Sequence, residues 1–383
     1  MREKAASDGS EKRAAGGIQP QRFTLINTIK FWGGGERFIF DLASGLQAKN
    51  FEVTVYGRPE KDLLRRTATA GLKSVPLYMN FDYDPWPLLK FTPFTGKEVF
   101  VAVAPRDLKL LRLLAFFRPQ AKFFWYLGVC YPVDNWEYRW LLKNEGIRLI
   151  AVSDFLKSEI LCRVPQVANR ISVLPAGVEV PAVDSTAARQ KLAEKYSLSP
   201  RNLFLGIFSR LVAGKGHSLL FRALQLVKKA GIDFHLWVVG GGEKKERLEK
   251  EAQELGLASE ITFTGHQTEV VSWMGGVDVV LLPSENEPFG YVVLEGMALG
   301  KTVLASASGG PLEILVDGQD GVLLPPKDAE AWAKALIGLA RNPEKRRELG
   351  RKAHLSVRMK FSLERMISRF LEIVDADTAV DCS

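Results

Sequence analysis

Short runs of β-branched and apolar residues alternate along the chain with stretches whose apolar positions recur every three to four residues, from Phe23 to about Leu339. The first pattern marks strands and the second marks helices. In the first half, strands are predicted at 23–28, 52–56, 99–103, 122–127 and 148–152, with helices such as 36–48 and 106–117 between them. The second half repeats the rhythm, with strands at 203–209, 234–239, 261–263, 277–282, 302–305 and 322–324. Alternation of this kind builds parallel sheets covered by helices on both faces. Two such sets predict an α/β chain of two doubly wound, Rossmann-like domains facing a cleft, with ligands beyond the carboxyl ends of the strands.

The break falls in "LPAGVEVPAVDST", residues 174–186, where two prolines and a glycine interrupt the periodicity. The expected division is a tail at 1–20, a first domain at 21–178, a second at 179–360 and a helix at 361–376. After Asn342 the pattern is helical to about Val374, with a break near Phe361 and Ser362.

At 383 residues the chain suits two domains, and 25% charged with 46% hydrophobic residues is the balance of a globular protein with ample core. No run approaches the ~20 apolar residues of a membrane-spanning helix. The polar N-terminus lacks the apolar centre of a signal peptide and reads as a disordered tail on a cytoplasmic protein. Cys130, Cys162 and Cys382 are spaced for neither a disulfide framework nor a metal. Residues 1–200 hold 29 Lys+Arg against 20 Asp+Glu, while residues 201–383 hold 23 against 24. The basic excess therefore sits in the first half, the likelier half to meet an anion. No basic run interleaved with aromatics and no nucleic-acid motif appears, so nucleic acid is not an expected partner.

Two places join a strand to a helix through glycines. "INTIKFWGGGERFIFDL" passes through glycines 33–35, and "HLWVVGGGEKKERL" through glycines 240–242. Glycine permits close backbone approach, and the following helix N-terminus offers free N–H groups to an anion. The second stretch has Lys245 where a dinucleotide fingerprint needs its third glycine, so it reads as a tight turn. Asp82 and Asp84 match the D-x-D metal pattern, but so do Asp375 and Asp377 in the tail, and no metal is expected. Gly300-Lys301-Thr302 looks like the end of a phosphate loop but sits between a helix and a strand, where Gly300 reads as a C-cap.

"ENEPFGYVVLEGMALG", residues 285–300, holds two carboxylates that core packing does not ask for. A helix is predicted from Tyr291 to Leu299, with its first amides at Phe289, Gly290 and Tyr291 open to a phosphate. Helical side chains lean toward the N-terminus, so Glu295 can reach back to clamp a ribose diol. Glu287, in the loop before the helix, can do the same for a sugar beyond the diphosphate. Facing carboxylates would repel that diphosphate unless cations intervened. "IFSRLVAGKGH" supplies Arg210, whose fork suits phosphate oxygens, and Lys215, a mobile point charge framed by two glycines.

These residues resemble the retaining glycosyltransferases of family 4, which have the two-domain GT-B fold. "SRLVAGKG", "ENEPFGYVVLEGMALG", "SGGPLEILVDGQDGVLLPPKD" and "WGGGERF" carry the likeness, weakly in the first half and strongly in the second. The resemblance implies that Arg210 and Lys215 bind the donor diphosphate, Glu295 the ribose and Glu287 the donor sugar. It also implies that backbone at Phe289 and Gly290 and at Gly34 and Gly35 closes around phosphates and sugar, with Gly265 and His266 near the base. No metal or other cofactor is implied, and the C-terminal helix is expected to pack back on the first domain. Two departures stand out. Ala176 and Glu179 occupy places where the family more often has Asn and Asp. Many relatives also carry a histidine in the first domain, whereas His217, His235, His266 and His354 all lie in the second half. His217 and His235 read as structural.

The implied chemistry is transfer of a sugar from a nucleoside diphosphate to a hydroxyl, in lipopolysaccharide or other surface-glycan synthesis. The expected partners are a nucleotide-sugar donor, a glycan or lipid-linked acceptor, and an anionic membrane at the inner face. Stretches 82–94 and 106–118, apolar with interspersed cations, are the membrane candidates; the second also reads as a sheet-covering helix. The alternatives are a sugar-nucleotide epimerase of similar architecture and a nucleotide-sugar-binding subunit without turnover.

Overall fold

The computed structural model describes residues 21–380 apart from 30–32, 60, 80–83, 85, 92–96, 132, 134, 144 and 200. The expected tail at 1–20, Cys382 and residues 82, 83, 85 and 92–94 of the stretch 82–94 lie outside the described residues. The first sheet domain runs β1 (Gln21–Asn27), α1 (Gly34–Ala48), β2 (Glu52–Gly57), α2 (Asp62–Thr69), β3 (Lys73–Pro76), β4 (Lys97–Ala102), α3 (Pro105–Phe117), β5 (Lys122–Leu127), α4 (Trp136–Leu141), β6 (Ile147–Ala151), α5 (Asp154–Arg163) and β7 (Ile171–Val173). The second runs α6 (Ser185–Lys195), β8 (Leu203–Phe208), α7 (His217–Lys229), β9 (Phe234–Val239), α8 (Lys245–Glu254), β10 (Ile261–Gly265), α9 (Val270–Gly276), β11 (Val279–Leu282), α10 (Tyr291–Ala298), β12 (Thr302–Ser306), α11 (Pro311–Ile314), β13 (Val322–Leu324), α12 (Ala329–Arg341) and α13 (Pro343–Lys360). Helix α14 (Leu363–Val380) follows.

The strands form a seven-stranded sheet, β3-β2-β1-β4-β5-β6-β7, and a six-stranded sheet, β10-β9-β8-β11-β12-β13. The pairings are parallel, as at Phe23 with Val99 and Val279 with Leu205. Helices on both faces bury central strands such as β1, β8, β9, β11 and β12, so they read as continuous apolar runs. The sequence pattern misses β3 and β7, because KSVP and ISV are short and mixed in polarity, whereas the equally short β13, VLL, is apolar throughout. Strand order reverses between β1 and β4 and between β8 and β11, and these reversals mark where ligands bind in such sheets.

Helix α13 ends at Lys360, and Ser362 restarts the helix by accepting from the Arg365 amide at 3.3 Å. The restart sends α14 back across the first sheet domain. Ile367 lies so close to Gly45 of α1 that a Cβ there would stand 2.4 Å from it, and Phe370 meets Phe23 at 5.9 Å. The crossing strap at Val178 is pinned by its amide to the Phe361 carbonyl at 2.9 Å. Behind this strap a cavity of about 790 Å³ is lined by Gly45, Val178, Glu179, Ser362 and Ile367. It lies at the crossing and away from both sheet reversals.

Of the two readings of 106–118, the structure supports the sheet cover. Leu108, Leu110, Leu111 and Leu114 of α3 are buried. Its cations are turned to protein partners: Lys109 to Glu137 at 2.6 Å, Arg112 to the Leu141 carbonyl at 3.2 Å, and Arg106 to the Met79 carbonyl at 3.1 Å. Only the end of the helix, Phe116 and Phe117, stays exposed.

Two buried ionic groups frame the first sheet. At its amino edge, Glu98 receives Arg22 on one oxygen and Arg118 on the other, each at 2.6 Å. At its carboxyl edge, in the β1/β4 reversal, Asp107 accepts from the Thr28 and Ala104 amides at 3.1 and 3.0 Å. Glu36, in the first turn of α1, lies beside it with its Oε1 buried and without a hydrogen-bond partner. Burial pushes the Glu36 carboxyl up to about 7, against the pull of the Glu36 and Gly33 amides, and pushes Asp107 up to about 6.

Glu98→Ala removes the carboxylate that both guanidiniums share, and a loss of roughly 3–5 kcal/mol is expected in urea unfolding. The folded chain binds a proton at Glu36 more tightly than the unfolded chain does. That contribution is therefore full below pH 4.5 and is lost as pH rises through 7. Glu36→Gln is expected to remove this term and to leave the melting temperature less dependent on pH between 5 and 8, as thermal scans would show.

Candidate functional site

Strand β8 ends at Phe208, and the chain turns through Arg210 and Lys215 before α7 begins. Gly216 takes φ +74, and a Cβ on it would fall 2.0 Å from the Pro283 carbonyl oxygen. Only glycine lets this turn press against the end of β11. There the Glu285 amide donates to the Gly214 carbonyl at 3.0 Å. The two loops after the two central strands are thus laced together by their backbones.

That lacing brings Lys215 onto Glu287, with Nζ to Oε2 at 2.7 Å and both side chains largely buried. The pair spans 72 residues of sequence and stands at the β8/β11 reversal. A third loop, after β12, closes beneath it. The Gly310 amide donates to the Glu287 carbonyl at 2.8 Å. A Cβ on Gly309 would strike that same oxygen at 2.3 Å, and one on Gly310 would meet Phe289 Cα at 2.2 Å. The sequence motif contained these glycines, but nothing in their spacing showed that they form the floor under Glu287.

Helix α10 opens at Gly290, which has φ +110 and provides no side-chain cap. Its free amides begin at Tyr291, two residues later than the sequence placed them. An uncapped N-terminus beside an ammonium is an anion seat. Glu295 lies one turn further along, partly exposed, and no described cation reaches it within ion-pair distance; burial raises its carboxyl and the charge of Arg37 opposes that rise. Arg210 is exposed at the tip of β8, without an ion pair among the described residues. Phe289 is buried.

Glycines 240–242 are used against protein. Cβ atoms on Gly240 and Gly242 would collide with the Ser209 and Leu211 carbonyl oxygens at 2.0 and 2.4 Å. They buttress the turn that carries Arg210. Gly265, with φ +70, accepts from the Gly240 amide at 2.9 Å, and His266 beyond it is exposed. His217 is buried on the Ser209 hydroxyl at 3.2 Å, and burial with nearby Lys215 pushes it down to about 4. His235 is buried on Thr262 at 2.8 Å and is likewise pushed to about 4. Both rings are neutral packing groups. Among the described residues, no cluster of three or more His, Cys, Asp or Glu is placed to hold a metal.

The first domain reaches the same loops. The Ser153 hydroxyl donates to the Pro288 carbonyl at 2.6 Å, and the first amides of α5, from Asp154 and Phe155, donate to Glu313 of α11 at 3.0 and 2.7 Å. Gly34 faces the ring of Tyr291, and Gly35 packs on Val103. Sequence reasoning missed Ser153 and Glu313. A serine cap and an acid far away in the chain give no local signal of pairing.

Comparison with known proteins agrees with this geometry. Residues 188–355 match the family described as glycosyl transferases group 1. The chain is 26% identical over 354 residues to lipopolysaccharide core biosynthesis glycosyltransferase LpsE of Rhizobium meliloti, covering 89% of this chain and 96% of that protein. It is 28% identical over 224 residues to LpsD of the same organism, covering 57% of this chain and 64% of that protein. The solved structure of Anabaena Alr3699/HepE in complex with UDP-glucose superposes with a TM-score of 0.78 at 19% identity, covering 93% of this chain and 99% of that one. Two parallel-sheet domains meeting at a cleft are thus the GT-B fold, and residues 188–355 of the second domain are similar to the group 1 glycosyl transferases.

Proposed function

We propose that the chain moves a glycosyl group from a nucleoside-diphosphate sugar to a hydroxyl of a surface-glycan acceptor, with the anomeric configuration retained. The observation that carries this reading is the Lys215–Glu287 contact beside the uncapped start of α10. The pair neutralises Glu287 in the free chain, so a diphosphate entering the cleft meets an ammonium and free amides without an opposing bare charge. In the donor complex Lys215 and Arg210 hold the diphosphate, Glu295 takes the ribose hydroxyls and Glu287 the donor sugar. The amides at Gly34 and Gly35 approach from the first domain, and Gly265 with His266 lies by the base.

The bond from the anomeric carbon to the diphosphate oxygen breaks while the acceptor oxygen bonds on the same face. The acceptor's proton passes to the leaving phosphate oxygen. Lys215, Arg210 and the α10 amides stabilise the charge that gathers there, so the transfer is proposed to run without a metal. The names of LpsE and LpsD support an acceptor in lipopolysaccharide core or a related glycan, and the HepE complex supports a nucleotide-sugar donor.

The proposed location is cytoplasmic, peripheral at an anionic membrane face. Among the described residues no helix is long and apolar enough to cross a membrane. The support lies in α4 and the turn after it, where Trp136, Arg139, Trp140 and Lys143 are exposed at helical spacing. Phe116 adjoins them, because Arg112, one turn before it, stacks 4.0 Å over the Trp140 ring. Phe116 and Trp136 are each 80% exposed. Indole and cation on one helical face suit a lipid headgroup layer.

Lys215→Ala is expected to lower kcat/KM for the donor roughly 10²–10³-fold. Glu287→Gln should cut turnover strongly yet leave nucleoside diphosphate binding within a few-fold by calorimetry; unchanged turnover would remove Glu287 from the site. A panel of UDP-, GDP- and ADP-sugars, with and without lipid-extract acceptors, separates transfer from its alternatives: nucleoside diphosphate release must depend on acceptor. Trp136→Ser with Phe116→Ser should reduce sedimentation with phosphatidylglycerol vesicles several-fold at low salt, and equal sedimentation would refute this docking face.

A further inference from the structure

The first residue of the donor helix, Tyr291, belongs to both domains. Its N–H is one of the uncapped amides of α10. Its ring leaves the second domain and lies on Gly34 of α1, where a Cβ would stand 3.3 Å from Cδ2. Its hydroxyl is buried and turned toward the equally buried hydroxyl of Tyr126 at the end of β5. The two phenols are neighbours, and the Tyr126 ring stacks on Phe38 of α1 at 3.5 Å and 3°.

The surroundings follow helical spacing. Gly34, Arg37 and Asp41 fall at i, i+3 and i+7 on α1, while Tyr291 and Glu295 fall at i and i+4 on α10, so two stripes face each other across the seam. Arg37 binds Asp41 at 2.7 Å, and its charge acts on both Tyr291 and Glu295. The absence of a side chain at Gly34 is what admits the ring. A Cβ there would press on the ring at 3.3 Å and require a shift of a few tenths of an ångström.

We propose that Tyr291 is a positioning residue for the transfer: its ring, seated on Gly34 and Tyr126, fixes the first turn of α10 across the domain seam and so holds the phosphate-facing amides and Glu295 in the closed arrangement. This rests on the donor site proposed above. A chain without the plug spends more of its time open, and its apparent donor affinity falls by the fraction still closed. The chemical step, once the donor is enclosed, is unchanged.

The test compares Tyr291→Leu, which removes the ring, with Tyr291→Phe, which keeps it. Small-angle scattering of the free proteins, UDP titration by calorimetry and donor kinetics are measured for each. Tyr291→Leu should enlarge the radius of gyration, weaken UDP about tenfold and raise donor KM about tenfold, with kcat within twofold. Tyr291→Phe should match the wild type in all three. Should Tyr291→Leu fold poorly, Tyr291→Met, whose flexible side chain fills the space without a ring, should give the same split. Scattering and KM unchanged in a folded Tyr291→Leu, a fall in kcat alone, or Tyr291→Phe behaving as Tyr291→Leu would each overturn the proposal. A wild-type chain that binds none of UDP, GDP or ADP instead overturns the donor site itself.

Discussion

The contact between Lys215 and Glu287 depends on backbone approaches closer than any side chain would permit. Gly216 against Pro283, Gly309 against the Glu287 carbonyl and Gly310 against Phe289 draw three loops onto one point. Each loop follows a different strand of the second sheet, and the two that carry charge flank its reversal. Without those glycines the ammonium and the carboxylate would stand apart, and each would be a solvated surface charge. With them, a largely buried ion pair sits beside an uncapped helix terminus. Such a pair is costly to desolvate and adds little to stability by itself. Its place at the sheet reversal supports the anion seat proposed above.

The second constraint is that neither domain completes the site alone. The Glu287 loop is held from across the cleft by the Ser153 hydroxyl, while Glu313 of α11 caps the first turn of α5. Tyr291 reaches back in the opposite sense, from the donor helix to α1. Helix α14 ties the same two bodies on the far side by packing Ile367 and Phe370 on the first domain. The hinge cavity lies between the strap at Val178 and this helix, where opening and closing would be absorbed. At the cleft the described contacts are the hydrogen bonds of Ser153 and Glu313 beside the Tyr291 ring, whereas those at α14 are apolar and buried. The asymmetry suits a body that pivots at α14 and engages at the loops.

The first domain carries no histidine, yet its sheet reversal is rich in acid. Glu36, Asp41 and Asp107 are all buried, and burial raises each toward neutrality. Asp41 has Arg37 for a partner, and Asp107 has three donors from two strand ends. Glu36 keeps an oxygen without a partner, beside the equally unpartnered amide nitrogen of Asn27. Titratable groups perturbed in this way gather where a fold is arranged for chemistry. Here they lie in the first domain, the side from which the proposed acceptor would come.

The sequence by itself determined the alternation of strand and helix, and with it two parallel sheets and the reversal points at which ligands collect. It also determined the chemical types at the second reversal, because Arg210, Lys215, Glu287, Gly290 and Glu295 follow strand ends and a helix start that hydrophobic periodicity makes visible. Periodicity is a local signal, and it fails at β3 and β7, where short segments of mixed polarity leave no apolar run. Tertiary structure decided what each glycine run is for. Glycines 240–242 look like glycines 33–35 in the sequence, but the first set buttresses the Arg210 turn and Gly34 of the second admits Tyr291. It also decided that Lys215 meets Glu287, that Glu313 caps α5, and that the cations of α3 are spent on protein partners. Those outcomes depend on which segments come within a few ångströms of one another after folding. Contact between residues 72 to 159 positions apart leaves no trace in the spacing of neighbours.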